Sequence, residues 1–242
     1  MSFMYNPFPF DDPKPVNRPA LSKETIDSIV AGGTPNVAKK FVAQIADRVR
    51  TEGVIVGIDG YTTANWNLFV NLLARECVIN GFEFETVDAN KATLKSGKEI
   101  DDMIDPLLIW DTKIDPTLLY GKLYHGGYIG LFDQEKMEQF RKDVPAMKTP
   151  GKLVVVAGYG SMIAELRDLY DVKCWFDITP MKTMLRIRGG EYSNLGKEHP
   201  GIINRTIRRC YYCDFECAVQ LRKDLWKNNV PDYFFLDNDP KK

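Results

Sequence analysis

At 242 residues, with 44% hydrophobic and 27% charged side chains, the chain can bury a core without disulfides or metals, as one large domain or two small ones. Its 32 basic and 33 acidic residues leave a formal net charge of -1, so no bulk field draws it to a polynucleotide. No apolar run approaches the ~20 residues that cross a bilayer, so nucleic-acid and membrane partners are not expected.

The first twenty residues carry five prolines together with Phe3, Tyr5, Phe8 and Phe10. Prolines at that density break helices, and the aromatics need a surface, so residues 1–20 read as an extended arm on the domain or on a neighbour. The segment lacks a basic start followed by an apolar stretch and does not read as a secretory leader. With that, the odd set Cys77, Cys174, Cys210, Cys213 and Cys217 points to reduced thiols and a cytoplasmic protein. Ser22 opens a capping pattern for a short helix through Ile26, Ile29 and Val30. Val37, Phe41, Ile45 and Val49 then recur at fourfold spacing, which predicts an amphipathic helix.

Val54-Ile55-Val56 is a β-branched run of the kind buried on both faces of a parallel sheet. A helix is predicted over 66–80, with Leu68, Leu72, Leu73 and Cys77 inward and Gly81 as its stop. Residues 82–90 form a second strand ending at Asp88. Residues 91–150 are less regular, with a glycine-broken loop before a helix over 132–144. A second unit follows: strand 152–160, helix 161–170 and strand 172–179. Residues 180–209, rich in Arg and Lys, read as a lid-like mobile segment. A helix over 214–228 precedes a last strand or extended tail at 231–239. The repeated strand–helix–strand pattern predicts an α/β fold: three αβα layers around a doubly wound, mostly parallel sheet, spanning 21–242.

The first strand runs into Gly60-Tyr61-Thr62-Thr63-Ala64-Asn65-Trp66-Asn67 and then a helix. A working phosphate loop reads G-x-x-x-x-G-K-[ST] in that context. Gly60 matches the first glycine, whereas Asn65, Trp66 and Asn67 replace the second glycine, the lysine and the hydroxyl. Tryptophan cannot neutralise charge between β- and γ-phosphates, and an asparagine amide is a poorer Mg²⁺ ligand than the hydroxyl. The helix N-terminus, with its free N–H groups and dipole, still suits an anion. Gly60, Thr62, Thr63, Ala64, Asn65 and Asn67 are therefore the candidate phosphate- or nucleotide-binding residues. The competing reading is a tight strand-to-helix turn with Trp66 packed in the core.

The stretch VVVAGYGSMIAELRDLYDVKCWFDITPMKTMLRIRGGEYSNLG resembles a segment of uridine kinase and its relatives. Leu166, Arg167, Asp168, Leu169, Asp171, Lys173, Phe176 and Asp177 carry the match. Arg186 and Arg188 fall where that family's lid arginines clamp phosphates, so the resemblance adds them to the binding set. A closer resemblance covers nearly the whole chain, through YNPFPFDDPKPVNRP, DPLLIWDTKIDPTLLYGKLYHGG, LFDQEKMEQF and RRCYYCDFECAVQLRKDLWKN. It is similar to a kinase-like module that, in bacteria, precedes a class I mannose-6-phosphate isomerase cupin domain. That module also lacks the loop lysine. The resemblance implies a P-loop kinase fold, a setting in sugar-phosphate metabolism and a cupin isomerase domain as partner. It does not imply isomerase chemistry in these residues, which hold only two histidines.

Candidate catalytic residues are Asp88, at the end of the second strand, Lys91 beside it and His125 between Tyr124 and two glycines. The resemblance to kinases implies that Asp88 is the closest counterpart of the acidic residue that acts on the acceptor hydroxyl there. Lys91 is a partner for Asp88 or a replacement cation, and His125 is a candidate base. Asp59, ending the first strand, is expected to face the same crevice. Arg205, Arg208 and Arg209 join Arg186 and Arg188 in a basic cluster suited to phosphate or to a solvated surface. Cys210, Cys213 and Cys217 lack a fourth ligand, so no metal site is expected. Three functions follow: a non-catalytic kinase-like domain that binds a phosphorylated sugar or nucleotide or serves assembly; an active phosphotransferase using ATP and Mg²⁺ with Lys91, Lys95 or an arginine as displaced cation; and a structural subunit that forms homo-oligomers through the arm.

Overall fold

In the computed structural model, residues 22–29, 33–117 and 120–237 are described; the expected arm at 1–20 lies outside them. The chain divides into a unit ending at Gly32 and a unit from Gly33 onward. In the first, helix α1 (Lys23–Ser28) starts where its cap predicts, the Thr25 N–H donating to Ser22 Oγ at 3.1 Å.

The second unit is built on strands β1 (Val54–Gly60), β2 (Glu83–Asp88), β3 (Lys152–Ala157), β4 (Val172–Asp177) and β5 (Tyr233–Leu236). Among the described residues they form one sheet of five strands in the order β2-β3-β1-β4-β5, with every pairing parallel. Val54 pairs with Leu153 on one side of β1, and Val56 pairs with Val172 on the other.

Alternation along β1 divides the core. Val54, Val56 and Ile58 pack with Phe41, Val42, Ile45 and Val49 of α2 (Gly33–Glu52) and with Phe69, Leu73 and Cys77 of α3 (Asn67–Asn80). Ile55 faces the opposite layer, made by α4 (Ala89–Thr93), α5 (Gly97–Ile104), α6 (Gly127–Leu131), α7 (Gln134–Ala146) and the C-terminal helices. Parallel strands covered on both faces explain the unbroken apolar runs in β1 and β3. The chain leaves β1 for the far edge, returns through β3, then crosses to β4, so the strand order reverses at β1 while every strand stays parallel. In open α/β sheets the crevice beyond the strand ends at such a reversal is where ligands bind.

Two local expectations change. Residues 161–170 are not a helix but a series of tight turns followed by a short 3-10 turn at Arg167–Leu169. There the Gly160 and Met162 N–H groups, which a helix start would leave free, donate to Asp59 at 3.1 and 2.9 Å, and Gly160 has φ +82°. Met162, Leu166 and Tyr170 are buried by those turns instead. In the segment read as a lid, Pro180–Arg188 forms helix α8, with the Thr179 hydroxyl as N-cap and Pro180 in the first turn. Residues 189–202 are irregular, yet Tyr192 and Leu195 are buried. Helices α9 (Ile203–Arg209) and α10 (Phe215–Lys227) run on through a single π turn at Cys210–Asp214.

No helix among the described residues is long and apolar enough to cross a membrane.

Candidate functional site

Beyond the carboxyl end of β1, a cavity of about 360 Å³ is lined by Thr63, Ala64, Asn65, Trp66 and Asn67 of the loop. Tyr159, Arg186, Glu191 and Tyr192 complete it. The 63–67 segment is thus one wall of a cavity at the N-terminus of α3.

The loop's conformation comes from a chain of hydrogen bonds. The Tyr61 N–H donates to the Phe176 carbonyl at 2.9 Å, and the Ala64 N–H to the Tyr61 carbonyl at 2.8 Å. Thr63, between them, has φ +71°, a conformation that glycine adopts freely and a β-branched residue adopts only under constraint. Its carbonyl accepts from Arg186 Nη1 at 2.7 Å, and the Ala64 carbonyl accepts from Tyr159 Oη at 3.0 Å. Thr63 is buried, and its hydroxyl has no hydrogen-bond partner among the described residues.

Arg186 reaches the loop from α8. Its two terminal nitrogens grip both carboxylate oxygens of Asp237, the residue following β5, with Nη2 to Oδ1 at 3.0 Å. The Asn65 N–H donates to the same carboxylate at 2.7 Å, and Lys182 Nζ lies 3.7 Å from it. The cradle therefore already holds an anion, one supplied by the chain itself. Burial alone would lower the Arg186 pKa, but the hydrogen bond and charge of Asp237 hold it above its usual value.

Trp66 lines the cavity half-buried, edge-on to Tyr159 (centroids 5.0 Å apart) and Phe176 (6.3 Å). Both readings of this residue meet here, since it packs against the core and walls the cavity. Among the cavity-lining residues Arg186 is the one cation.

The other expected site residues lie elsewhere. Gly60 is buried with its N–H on Asp59 at 2.7 Å, and a side chain there would meet the Phe176 carbonyl at 2.6 Å. It shapes the turn and does not line the cavity. The Thr62 hydroxyl faces the Asp214 carbonyl at 3.3 Å. Arg188 is exposed. Asp88 is the N-cap of α4, accepting from the Lys91 N–H at 3.1 Å, with Lys91 Nζ 3.9 Å from its carboxylate. Their mutual pairing is the simple ion-pair alternative, and neither lines the cavity. His125 is exposed on a second cavity of about 370 Å³ beside α6 and α10, with Glu165, Gln220 and Asp224.

The expected basic cluster separates. Arg208 is buried against Asp115 at 3.3 Å, Arg209 is buried against Asp101 at 2.6 Å, and exposed Arg205 lies over the Trp110 ring. None of the three lines the first cavity. Cys210, Cys213 and Cys217 are buried, and burial pushes the Cys210 thiol up. The described residues hold no His/Cys/Asp/Glu cluster suited to a metal.

Asp59 does not face the crevice. It is fully buried, its Oδ1 accepting from Gly60 and Gly160 and its Oδ2 from Met162, so it ties the loop after β3 to the end of β1. Burial pushes its pKa from 3.8 up to about 7, against the pull of those N–H donors. A carboxyl whose folded pKa lies above its unfolded value favours folding below the unfolded pKa. That contribution is lost as pH rises through the folded one. The Asp59 contribution to stability is therefore expected to fall between about pH 4 and pH 7, by a few kcal/mol at most. Asp59→Asn should flatten that slope in urea melts taken across the range. An unchanged slope would show that folding does not raise the Asp59 pKa.

The family described as "Domain of unknown function (DUF8485)" matches residues 38–241. No curated protein matches the sequence. Among solved structures, a candidate fructose transport system kinase from Silicibacter sp. TM1040 superposes with a TM-score of 0.55 at 12% identity, covering 85% of this chain and 100% of that one. A candidate uridine kinase from Bacillus stearothermophilus gives a TM-score of 0.48 at 11% identity, covering 83% and 98%. Shikimate kinase from Bacteroides thetaiotaomicron gives 0.38 at 12%, covering 76% and 86%. At 12% identity the likeness to the first of these shows the fold alone, an α/β fold with a parallel sheet.

Proposed function

The chain belongs to the DUF8485 family, and from that premise we propose that it is a non-catalytic kinase-like domain that binds a phosphorylated sugar or nucleotide at the 60–67 loop. One observation carries the reading: the Asn65 N–H and the Arg186 fork together hold a carboxylate at the start of α3. A helix N-terminus with a buried guanidinium suits phosphate oxygens by the same geometry. Thr63, whose buried hydroxyl has no partner among the described residues, lines the same cavity.

The residues at hand do not fit Mg²⁺·ATP as a phosphoryl donor. Trp66 stands in place of the cation and Asn67 in place of the metal-binding hydroxyl. Phosphoryl transfer relies on positioned positive charge, and Lys91 is paired outside the cavity. The resemblance to the module that precedes mannose-6-phosphate isomerase domains makes mannose 6-phosphate the first ligand to try, and an isomerase domain the first partner. The test is calorimetric titration with mannose 6-phosphate and with Mg²⁺·ATP, followed by a nucleotide-turnover assay. Binding of a phosphorylated ligand without turnover is expected. Turnover of Mg²⁺·ATP that Arg186→Gln removes would instead establish an active phosphotransferase.

Lysine at position 66 should not restore transfer on its own. Trp66→Lys removes aromatic packing on Tyr159 and Phe176 while leaving Asn65 and Asn67 in place. We expect a lower melting temperature and no gain in turnover; a gain would mean that the loop lacks only its cation.

A further inference from the structure

We propose that Asp237 is a built-in competitor for the anion cradle, and that the ligand which displaces it is a dianion, a phosphate monoester rather than a carboxylate or a phosphodiester. This rests on the reading of the loop as a phosphate cradle and sharpens it.

Asp237 is 172 residues from Asn65 in sequence, yet its carboxylate takes the Asn65 N–H and both terminal nitrogens of Arg186. The side chains of Arg186 and Asp237 are 15% and 9% exposed, so the pair is largely out of water. Its backbone is held independently, the Asp237 N–H donating to the Asp177 carbonyl at 2.7 Å and its carbonyl accepting from Lys182 Nζ at 2.8 Å. The carboxylate can therefore leave Arg186 by side-chain rotation while the end of β5 stays in the sheet.

Charge decides which ligand can make it leave. A tethered group competes at an effective concentration on the order of millimolar or more. A singly charged ligand offers Arg186 what Asp237 already offers, so it gains little from the exchange. A phosphate monoester adds a second charge and a third oxygen. It can meet Arg186 and the Asn65 N–H, with Lys182, whose Nζ lies 3.7 Å from the oxygen it would replace, as a second cation nearby. Glu191, exposed at the cavity rim 4.0 Å from Arg186, opposes any anion there, screened by solvent.

The experiment follows the Asn65 backbone amide by NMR while the intact protein is titrated with inorganic phosphate at pH 8, and separately with acetate. Wild type should bind phosphate weakly and show no saturable response to acetate. Asp237→Ala should bind phosphate at least tenfold more tightly and should now bind acetate. Asp237→Asn, which preserves size and one oxygen, should show the same direction and guards against a folding defect in the alanine variant. Equal phosphate affinity in wild type and both variants overturns the competitor while leaving the cradle in place. Saturable acetate binding to wild type overturns the dianion requirement. No Asn65 response to phosphate in any of the three proteins overturns both the competitor and the cradle, and makes Asp237 a structural ion pair only.

Discussion

Arg186→Gln is expected to weaken phosphate binding at the loop at least tenfold and to lower the unfolding free energy by about 2–3 kcal/mol. The binding loss follows from the cavity's charge, because Arg186 is its one lining cation and Trp66 cannot substitute. The stability loss follows from burial. Glutamine leaves the Asp237 carboxylate with the Asn65 N–H and Lys182, and it removes the donor that holds the Thr63 carbonyl. Because Lys182 remains, the cost should fall at the low end of the range for breaking buried pairs. Titration by the Asn65 amide and a urea melt measure the two effects separately. Arg186→Gln/Asp237→Asn should recover part of the stability, since removing both charges leaves neither uncompensated, but none of the binding. Full recovery of phosphate affinity in the double variant would show that Arg186 does not touch the ligand.

Gly57→Ala should be among the most damaging small substitutions in the chain, costing about 2–3 kcal/mol and roughly 5–10 °C in Tm. Gly57 lies in the middle of β1, paired on both sides, where a Cβ would come within 2.2 Å of Tyr170 Cδ2 and 2.5 Å of Cγ. Those are ring atoms of a buried side chain, so relief requires moving the tyrosine or the strand. Gly81→Ala is the control. Gly81 has φ +73° but nothing within 4 Å of its Cβ position, so backbone strain alone acts, worth about 1 kcal/mol. Thermal melts of the two variants should therefore differ clearly; equal losses would mean that Tyr170 yields without cost.

The framework was legible in the sequence because it depends on local chemistry. The apolar runs at 54–56 and 153–156 required a covered parallel sheet, and the fourfold spacing of Phe41, Ile45 and Val49 required a helix on one of its faces. Ser22 and Gly81 marked helix ends through bonds that span only a few residues. The same local logic misread 161–170. Its residues suit an amphipathic helix, but the N–H groups at its start are taken by Asp59, about a hundred residues earlier.

The site divides along the same line. That the loop after β1 had lost its lysine, second glycine and hydroxyl was determined by the sequence, since those are identities at fixed positions. That the same loop walls a cavity with Tyr159, Glu191 and Tyr192 was decided by the tertiary structure. So was the separation of Arg186, which enters the site, from Arg188, Arg205, Arg208 and Arg209, which do not. Asp237 had no local signal at all: its meaning rests on a hydrogen bond to Asn65 across 172 residues, made possible because β4 and β5 lie side by side. Sequence patterns report what a residue does to its near neighbours, whereas the filling of an anion cradle depends on which distant charge the fold carries to it.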